Sequence, residues 1–240
     1  MWCMVDVAVK FDRNGLIPVV VQDHLTGDIR MFAHATIEAV RATLETGRAT
    51  FWSRSRNELW EKGLTSGNGL EVRRVIVDCD EDCLIYASEP SGATCHTGAP
   101  SCFFQTLEHA GGAYRPHQHG ATPQTILARL EAQIDARRES TAAKSYTKAL
   151  LDGGAGPIGA KLREEADELA RAIATESEER VASEAADVVY HLMVALRSRD
   201  VSWRDVLSVL ESRTGVSGHD EKLARLERAA AQRIGRGTIP

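Results

Sequence analysis

The sequence predicts an α+β protein in two parts: a β-rich N-terminal domain with one main helix, followed by an all-α helical-bundle domain. Three observations predict it. Up to about Phe104, apolar runs suited to strands alternate with Gly and Asp punctuation. From His109 the composition shifts to HAGGAYRPHQHGATP, rich in Gly, Pro and His and without apolar periodicity. Beyond Thr122, apolar residues recur at helical spacing. A length of 240 residues with 43% hydrophobic content exceeds the usual single domain and supplies two modest cores.

Taken in order, IPVVVQD, EVRRVIVD and CLIYAS read as strands, interrupted by a helix over residues 36–46 that Gly47 is placed to end. The Gly- and His-rich stretch reads as a linker. The expected boundaries are therefore a first domain over 1–116, the end of the linker at 117–122, and a second domain over 123–240 that includes a C-terminal tail. Thr122 and Pro123 suit a cap and first turn, after which Ile126, Leu127, Leu130 and Ile134 keep helical spacing. A second helix covers residues 145–151 and ends at Asp152-Gly153-Gly154. Pro157 opens a third, IGAKLREEADELARAIA; a fourth is ERVASEAADVVYHLMVALRS; a fifth, WRDVLSVLES, stops at Gly215. The terminal EKLARLERAAAQRIGRGTIP reads equally well as a polar helix or a frayed tail.

A net charge of −5 and a pI near 5.9 argue against nucleic acid or an anionic membrane as partners, since both require excess Lys and Arg. No apolar run approaches the ~18 residues of a membrane helix, and the N-terminus carries charge where a signal peptide would be apolar. A cytoplasmic chain is expected. Five cysteines are an odd number, and Cys79, Cys83, Cys95 and Cys102 fall close together, so in a reducing compartment metal ligation outranks disulfides. Cys3 stands apart as an ordinary thiol.

In VIVDCDEDC, Asp78, Asp80 and Asp82 occupy alternate positions, so a continuing strand would point three carboxylates to one face. Such a face is either solvated or holds a hard divalent cation. Cys95 and Cys102 lie in ATCHTGAPSCF, a loop able to bend two thiolates toward a third ligand, for which zinc is the natural guest. A closed site with Cys79, Cys83, Cys95 and Cys102 is structural. An open site with three cysteines is catalytic, because the fourth position lets zinc lower the pKa of a bound water toward ~7. His96, next to Cys95, favours the catalytic version as a proton acceptor.

The strings FDRNGLIPVVVQDHLTG, TLETGRATFWSRSRNELWEKG, TSGN, DCDED and CHTGAPSCF, in this order, resemble the phosphoribosyl-AMP cyclohydrolase family over almost all of residues 11–104. The resemblance implies a homodimer whose zinc is shared between subunits through Cys79, Cys95 and Cys102, with magnesium on Asp78, Asp80 and Asp82 and His96 in the catalytic centre. Cys83 matches no ligand. The same block implies Trp52, Ser53, Arg54, Ser55, Arg56, Lys62, Thr65 and Ser66 as substrate contacts, with Trp60 available to stack on a base. The chain departs from the family pattern at Ala99-Pro100, where basic residues are usual, and at Leu64, where Glu is usual.

In KLREEADELARA, Glu164, Glu165 and Glu168 crowd one side of a helix, and in SEAADVVYHL Glu184 and Asp187 repeat the spacing one helix later, with His191 a further turn on. Either pair alone suits a solvated face. Two pairs on helices that pack together converge, and divalent metal makes convergence tolerable. With SYTKALLDGG, these segments resemble phosphoribosyl-ATP pyrophosphohydrolase over about residues 126–213. That resemblance implies magnesium on Glu164, Glu165, Glu168, Glu184 and Asp187, with Glu165 in the catalytic centre, and Lys144, Lys148, Lys161 and Arg163 as candidate phosphate contacts.

The two implied activities are consecutive, phosphoribosyl-ATP giving phosphoribosyl-AMP and then its ring-opened product, so each resemblance raises the other. Both reactions belong to histidine biosynthesis, with Zn2+ and Mg2+ as cofactors. Two alternatives remain: a housekeeping nucleotide pyrophosphohydrolase fused to a structural zinc domain, and a zinc-stabilised adaptor without enzymatic activity. A linker between the domains further predicts that few contacts join them and that the two sites work independently.

Overall fold

The computed structural model describes residues 9–110, 113–118, 125–140 and 145–214. Cys3, Thr122, Pro123, Lys144, Gly215 and the C-terminal tail lie outside them. The chain folds as β1 (Ile17–Asp23), β2 (Ile29–Ala35), α1 (Ile37–Thr46), β3 (Thr50–Ser53), β4 (Glu58–Glu61), β5 (Leu70–Val77), β6 (Leu84–Pro90), β7 (Gln105–Ala110) and β8 (Ala113–Gln118), then five helices. These are α2 (Ile126–Glu139), α3 (Tyr146–Gly153), α4 (Ala155–Thr175), α5 (Glu178–Arg197) and α6 (Trp203–Arg213).

Strands β1 to β6 form one sheet in the order β4-β3-β2-β1-β6-β5. The central β1–β6 pair is parallel and every other pair antiparallel. Along β1, Ile17, Val19, Val21 and Asp23 alternate into the interior with period two, so the last inward position of an otherwise apolar face is a carboxylate. The apolar positions join Met31, Phe51, Leu70, Leu84 and Tyr86 in the first core. Helix α1 buries Ala39, Val40 and Thr43. The Thr43 hydroxyl donates to the Ala39 carbonyl at 2.9 Å and accepts from the Thr50 amide at 3.0 Å, pinning helix to sheet. Thr36 caps its start, and Gly47 at φ 70° ends it in the left-handed region as expected.

The structure amends several sequence expectations. The stretch from His109 is in part a β-hairpin rather than a linker without structure, since β7 and β8 pair antiparallel from Gln105↔Gln118 to Ala110↔Ala113. Residues 105–107, 109 and 116 of this ribbon are exposed, and Pro116 is tolerated where both strands are edges. Helix α2 is capped by Thr125, whose side chain accepts from the Ala128 amide; the cap and first turn expected at Thr122 and Pro123 fall outside the described residues. Helix α4 begins at Ala155, with Pro157 inside its first turn, where the missing N–H has no helical acceptor to lose.

The helical domain closes around Ile134, Leu150, Ile158, Met193 and Val194. Contacts between the domains are few among the described residues, as expected, but those that exist form one charged cluster. Arg204 on α6 binds Asp23 at the end of β1 and Glu89 on β6. His24 bridges Glu89 and Glu211, the latter at 3.3 Å, and the Thr125 amide donates to Asp28 at 3.0 Å. A cavity of about 510 Å³ runs along this seam, walled by Leu25, Arg30, Glu131, Trp203 and Leu207. Periodicity could not reveal these contacts, because each residue alone reads as an ordinary surface charge.

Candidate active sites

The first site is a cavity of about 570 Å³ in the β-rich domain, walled by Arg56, Trp60, Lys62, Thr65, Ser66, Asn68, Thr94, Cys95, His96 and Cys102. Its thiol wall is built by a tight turn in which the Gly98 amide donates to the Cys95 carbonyl at 3.1 Å and the Cys95 amide to the Ala99 carbonyl at 3.0 Å. Gly98 takes φ 87°, a conformation that favours glycine. Cys102 is brought back beside Cys95 by its amide, which donates to the Arg30 carbonyl at 2.8 Å.

The two thiols differ chemically. Burial disfavours the Cys95 thiolate, but the Thr97 hydroxyl 3.1 Å away, nearby amides and the Cys102 thiol outweigh it, so its pKa falls below the usual thiol value. Cys102 is pushed up to about 11, by burial first and by the neighbouring Cys95 second. His96 places Nδ1 3.8 Å from the Cys95 sulfur, and the buried Thr94 hydroxyl on the same wall has no partner.

Of the anticipated substrate contacts, Arg56, Lys62, Thr65 and Ser66 line the cavity with Trp60, whereas Trp52, Ser53, Arg54 and Ser55 do not. Trp52 pairs across β3 with His34, and the Ser53 hydroxyl accepts from the Arg56 amide and guanidinium, shaping the turn that carries Arg56. Asn68 and Thr94 were not anticipated. Asn68 sits in the TSGN string, one of the segments that carry the family resemblance, which was the signal that could have found it. Gly63 takes φ 90°, and a Cβ there would meet the Gly69 amide nitrogen at 2.3 Å, so this floor of the cavity requires glycine.

Cys79 lies elsewhere, in the turn after β5, and no three cysteines among the described residues gather within one chain. Strand β5 ends at Val77, so the three aspartates converge by a turn and not by strand alternation. Asp78 Oδ1 accepts from the Asp82 and Cys83 amides, both at 3.0 Å, and Glu81 takes φ 68°. Carboxylate oxygens of Asp78, Asp80 and Asp82 consequently approach within 4.8 Å of one another. Repulsion from Asp80 foremost, then burial and Asp78, raises the Asp82 pKa. Cys83 is a half-buried thiol pushed up mainly by burial.

The second site is a carboxylate seam between α4 and α5. The buried stripe of α4 is Ile158, Glu165 and Ala172, and Glu184 and His191 keep the same seven-residue spacing on α5. Two carboxylates are thereby carried into a helix interface by the periodicity that builds it. Oxygens of Glu165, Glu184 and Asp187 approach within 4.8 Å, while Glu164 and Glu168 stand outside that set. Lys161 reaches Glu165 at 2.8 Å and Glu164 at 3.0 Å, and Arg180 pairs with Glu184. Glu165, foremost, and Glu164 hold the Lys161 ammonium well above its usual pKa. His191 Nδ1 donates to the Asp187 carbonyl at 2.9 Å, leaving Nε2 to accept from the Tyr146 hydroxyl at 3.1 Å. Lys148 pairs with Asp152 at 3.5 Å, away from these carboxylates, and Arg163 is exposed.

A β-rich domain with a thiol-walled cavity, joined to a helical domain with a carboxylate seam, is the build of a two-domain enzyme with two separate reaction centres. Comparison with known proteins agrees domain by domain. Residues 31–104 match the phosphoribosyl-AMP cyclohydrolase family model and residues 127–214 the phosphoribosyl-ATP pyrophosphohydrolase model. Similar curated proteins include the histidine biosynthesis bifunctional protein HisIE of Prochlorococcus marinus subsp. pastoris, 40% identical over 208 residues covering 86% of this chain and 94% of that one. The HisIE proteins of Gloeobacter violaceus and Aquifex aeolicus are 42% and 41% identical, over 86% and 85% of this chain and 90% and 95% of theirs. The chain belongs to the HisIE family of bifunctional histidine biosynthesis enzymes, with a cyclohydrolase and a pyrophosphohydrolase domain.

Proposed function

We propose that the helical seam hydrolyses phosphoribosyl-ATP to phosphoribosyl-AMP and pyrophosphate with Mg2+, and that the thiol-walled cavity then opens the adenine ring of phosphoribosyl-AMP with Zn2+. The observation that carries the second assignment is the adjacent Cys95–Cys102 pair, one thiol with a lowered pKa, on the wall of a cavity that also carries Arg56 and Lys62. Thiolates suit zinc, and two sulfurs side by side with a raised second pKa leave a proton that a soft cation displaces. Zinc held there supplies an activated water.

The protein's own groups supply the rest. Arg56 and Lys62 neutralise the two phosphates, and Thr65 and Ser66 donate hydrogen bonds to them. Ribosylation at N1 makes adenine C6 electrophilic; water adds at C6, the N1–C6 bond breaks, and His96 accepts the proton that the water gives up. Cys79 completes the ligand set from a second subunit. Its exposure and its distance from the Cys95 loop in one chain support a homodimer, as do the half-exposed Ile76 and Val77 on the edge strand β5.

Asp78, Asp80 and Asp82 suit Mg2+, since a hard cation relieves the repulsion that raises Asp82. In the seam, Glu165, Glu184 and Asp187 form the inner Mg2+ set, with Glu164 and Glu168 beside it and Lys161 close enough to meet a phosphate. Magnesium held by these carboxylates would offset the charge of a triphosphate and activate a water. Glu165 orients the attacking water. The free thiols among the described residues agree with a cytoplasmic setting. The test is to incubate the chain with phosphoribosyl-ATP, Mg2+ and Zn2+, and follow pyrophosphate release beside the ultraviolet change of ring opening. Activity on ordinary nucleoside triphosphates but not on phosphoribosyl-ATP would overturn the reading.

A further inference from the structure

We infer that Arg204, on α6 of the helical domain, is a positioning residue for the thiol loop of the β-rich domain, acting through Asp23 and Arg30. The inference rests on the reading that Cys95 and Cys102 serve ring opening.

The connection begins at the loop. Three consecutive residues, Pro100, Ser101 and Cys102, are anchored on the start of β2. The Cys102 amide donates to the Arg30 carbonyl at 2.8 Å, the Ser101 hydroxyl donates to the Ile29 carbonyl at 2.8 Å, and Arg30 Nη1 donates to the Pro100 carbonyl at 3.3 Å. Arg30 therefore holds the loop with its backbone and with one arm of its guanidinium. The other arm binds Asp23 Oδ2 at 2.6 Å.

Asp23 is the inward carboxylate at the end of β1, with a side chain 0% exposed. Its Oδ1 accepts from the Leu25 and Thr26 amides at 3.0 and 3.1 Å. Its Oδ2 is shared, because Arg204 Nη1 also binds it at 2.6 Å while Nη2 binds Glu89. Two guanidinium groups thus compete for one oxygen. With Arg204 present, Arg30 gets one contact and keeps Nη1 turned toward Pro100. Without Arg204, Oδ2 keeps a single cationic donor, and Arg30 is drawn more fully onto it and into the space Arg204 leaves, turning Nη1 away from the Pro100 carbonyl and loosening the segment that aligns Cys102 with Cys95.

The experiment uses the full chain with Arg204→Ala and Arg204→Lys. In the metal-free protein, iodoacetamide labelling of Cys95, Cys102 and Cys79 is followed by mass spectrometry. The kcat and KM of ring opening on supplied phosphoribosyl-AMP, and pyrophosphate release, are measured beside it. For Arg204→Ala, Cys95 labelling should rise and ring-opening kcat fall by about tenfold each, short of the roughly hundredfold that a 1 Å misplacement can cost. KM, Cys79 labelling and pyrophosphate release should stay near wild type, because the phosphate-binding wall, the aspartate turn and the α4–α5 seam do not depend on Arg30. Arg204→Lys, which keeps one donor on Asp23, should fall between. Wild-type labelling and kcat in both variants would overturn the proposal. So would a parallel loss of both activities with all three thiols equally reactive, which signals general loosening. If Cys95→Ser leaves ring opening intact, the loop reading itself fails, independently of Arg204.

Discussion

At the scale of single residues, neighbouring thiols and glycines carry the sharpest consequences. Cys95, Cys102 and Cys79 are expected to be essential for bound zinc and ring opening, so each Ser variant should lose both, while Cys83→Ser keeps them nearly intact. Zinc content by atomic emission, with activity, checks this; loss of zinc on Cys83→Ser would instead indicate a closed four-thiolate site. Gly63→Ala should lower the melting temperature of the β-rich domain. The φ of 90° alone costs about 1–3 kcal/mol. The added Cβ meets backbone and not a movable side chain, so ring opening should fall along with stability.

The helical seam shows how an element carries chemistry by the periodicity that builds it. Seven residues separate Ile158, Glu165 and Ala172 on α4, and a further seven-residue step on α5 joins Glu184 to His191, so packing itself delivers the carboxylates to the seam. Replacing Glu165 by Gln preserves volume and removes one charge. Pyrophosphate release should drop by at least about tenfold, as expected for loss of a metal ligand, with hydrolysis of supplied phosphoribosyl-AMP near wild type. Silencing of both reactions in a folded, zinc-loaded protein would contradict separate centres. Much of this was legible in the sequence, because E-E-x-x-E and E-x-x-D fall on strongly periodic helices. Which glutamates turn inward was not, since the inward face is set by the partner helix.

For the whole molecule, the decisive feature is the charged seam between the two domains. Burial opposes ionisation of Asp23, yet Arg204, Arg30 and the Thr26 amide bring its pKa down to about 2 from 3.8. A depressed carboxylate pKa stabilises the folded form above the ordinary value near 3.8, and that contribution disappears as pH falls through about 2. Acid should therefore separate α6 from the sheet between those values. Trp203 begins α6 and lines the seam, so its fluorescence should report the opening, and Asp23→Asn should abolish the acid transition in that range. An unchanged transition in the variant would assign it to other carboxylates. The same seam predicts that fragment 1–116 opens the ring more slowly than the full chain, since it lacks Arg204.

The sequence by itself determined the two-part architecture, the strands IPVVVQD and CLIYAS, the Gly47 helix stop, the thiol loop and the acidic helices. Each of these depends on local periodicity, turn chemistry or a short motif, which the chain states one segment at a time. Tertiary structure decided what depends on distant partners. It turned the aspartates together through a turn and separated Cys79 from the Cys95–Cys102 pair within one chain. It kept Trp52 and Arg54 off the cavity that Arg56 and Lys62 enter. It also set Arg204 against Asp23 across 181 positions of sequence. No local pattern encodes such a pair, because the energy that fixes it exists only once the β1 face and α6 have been brought together.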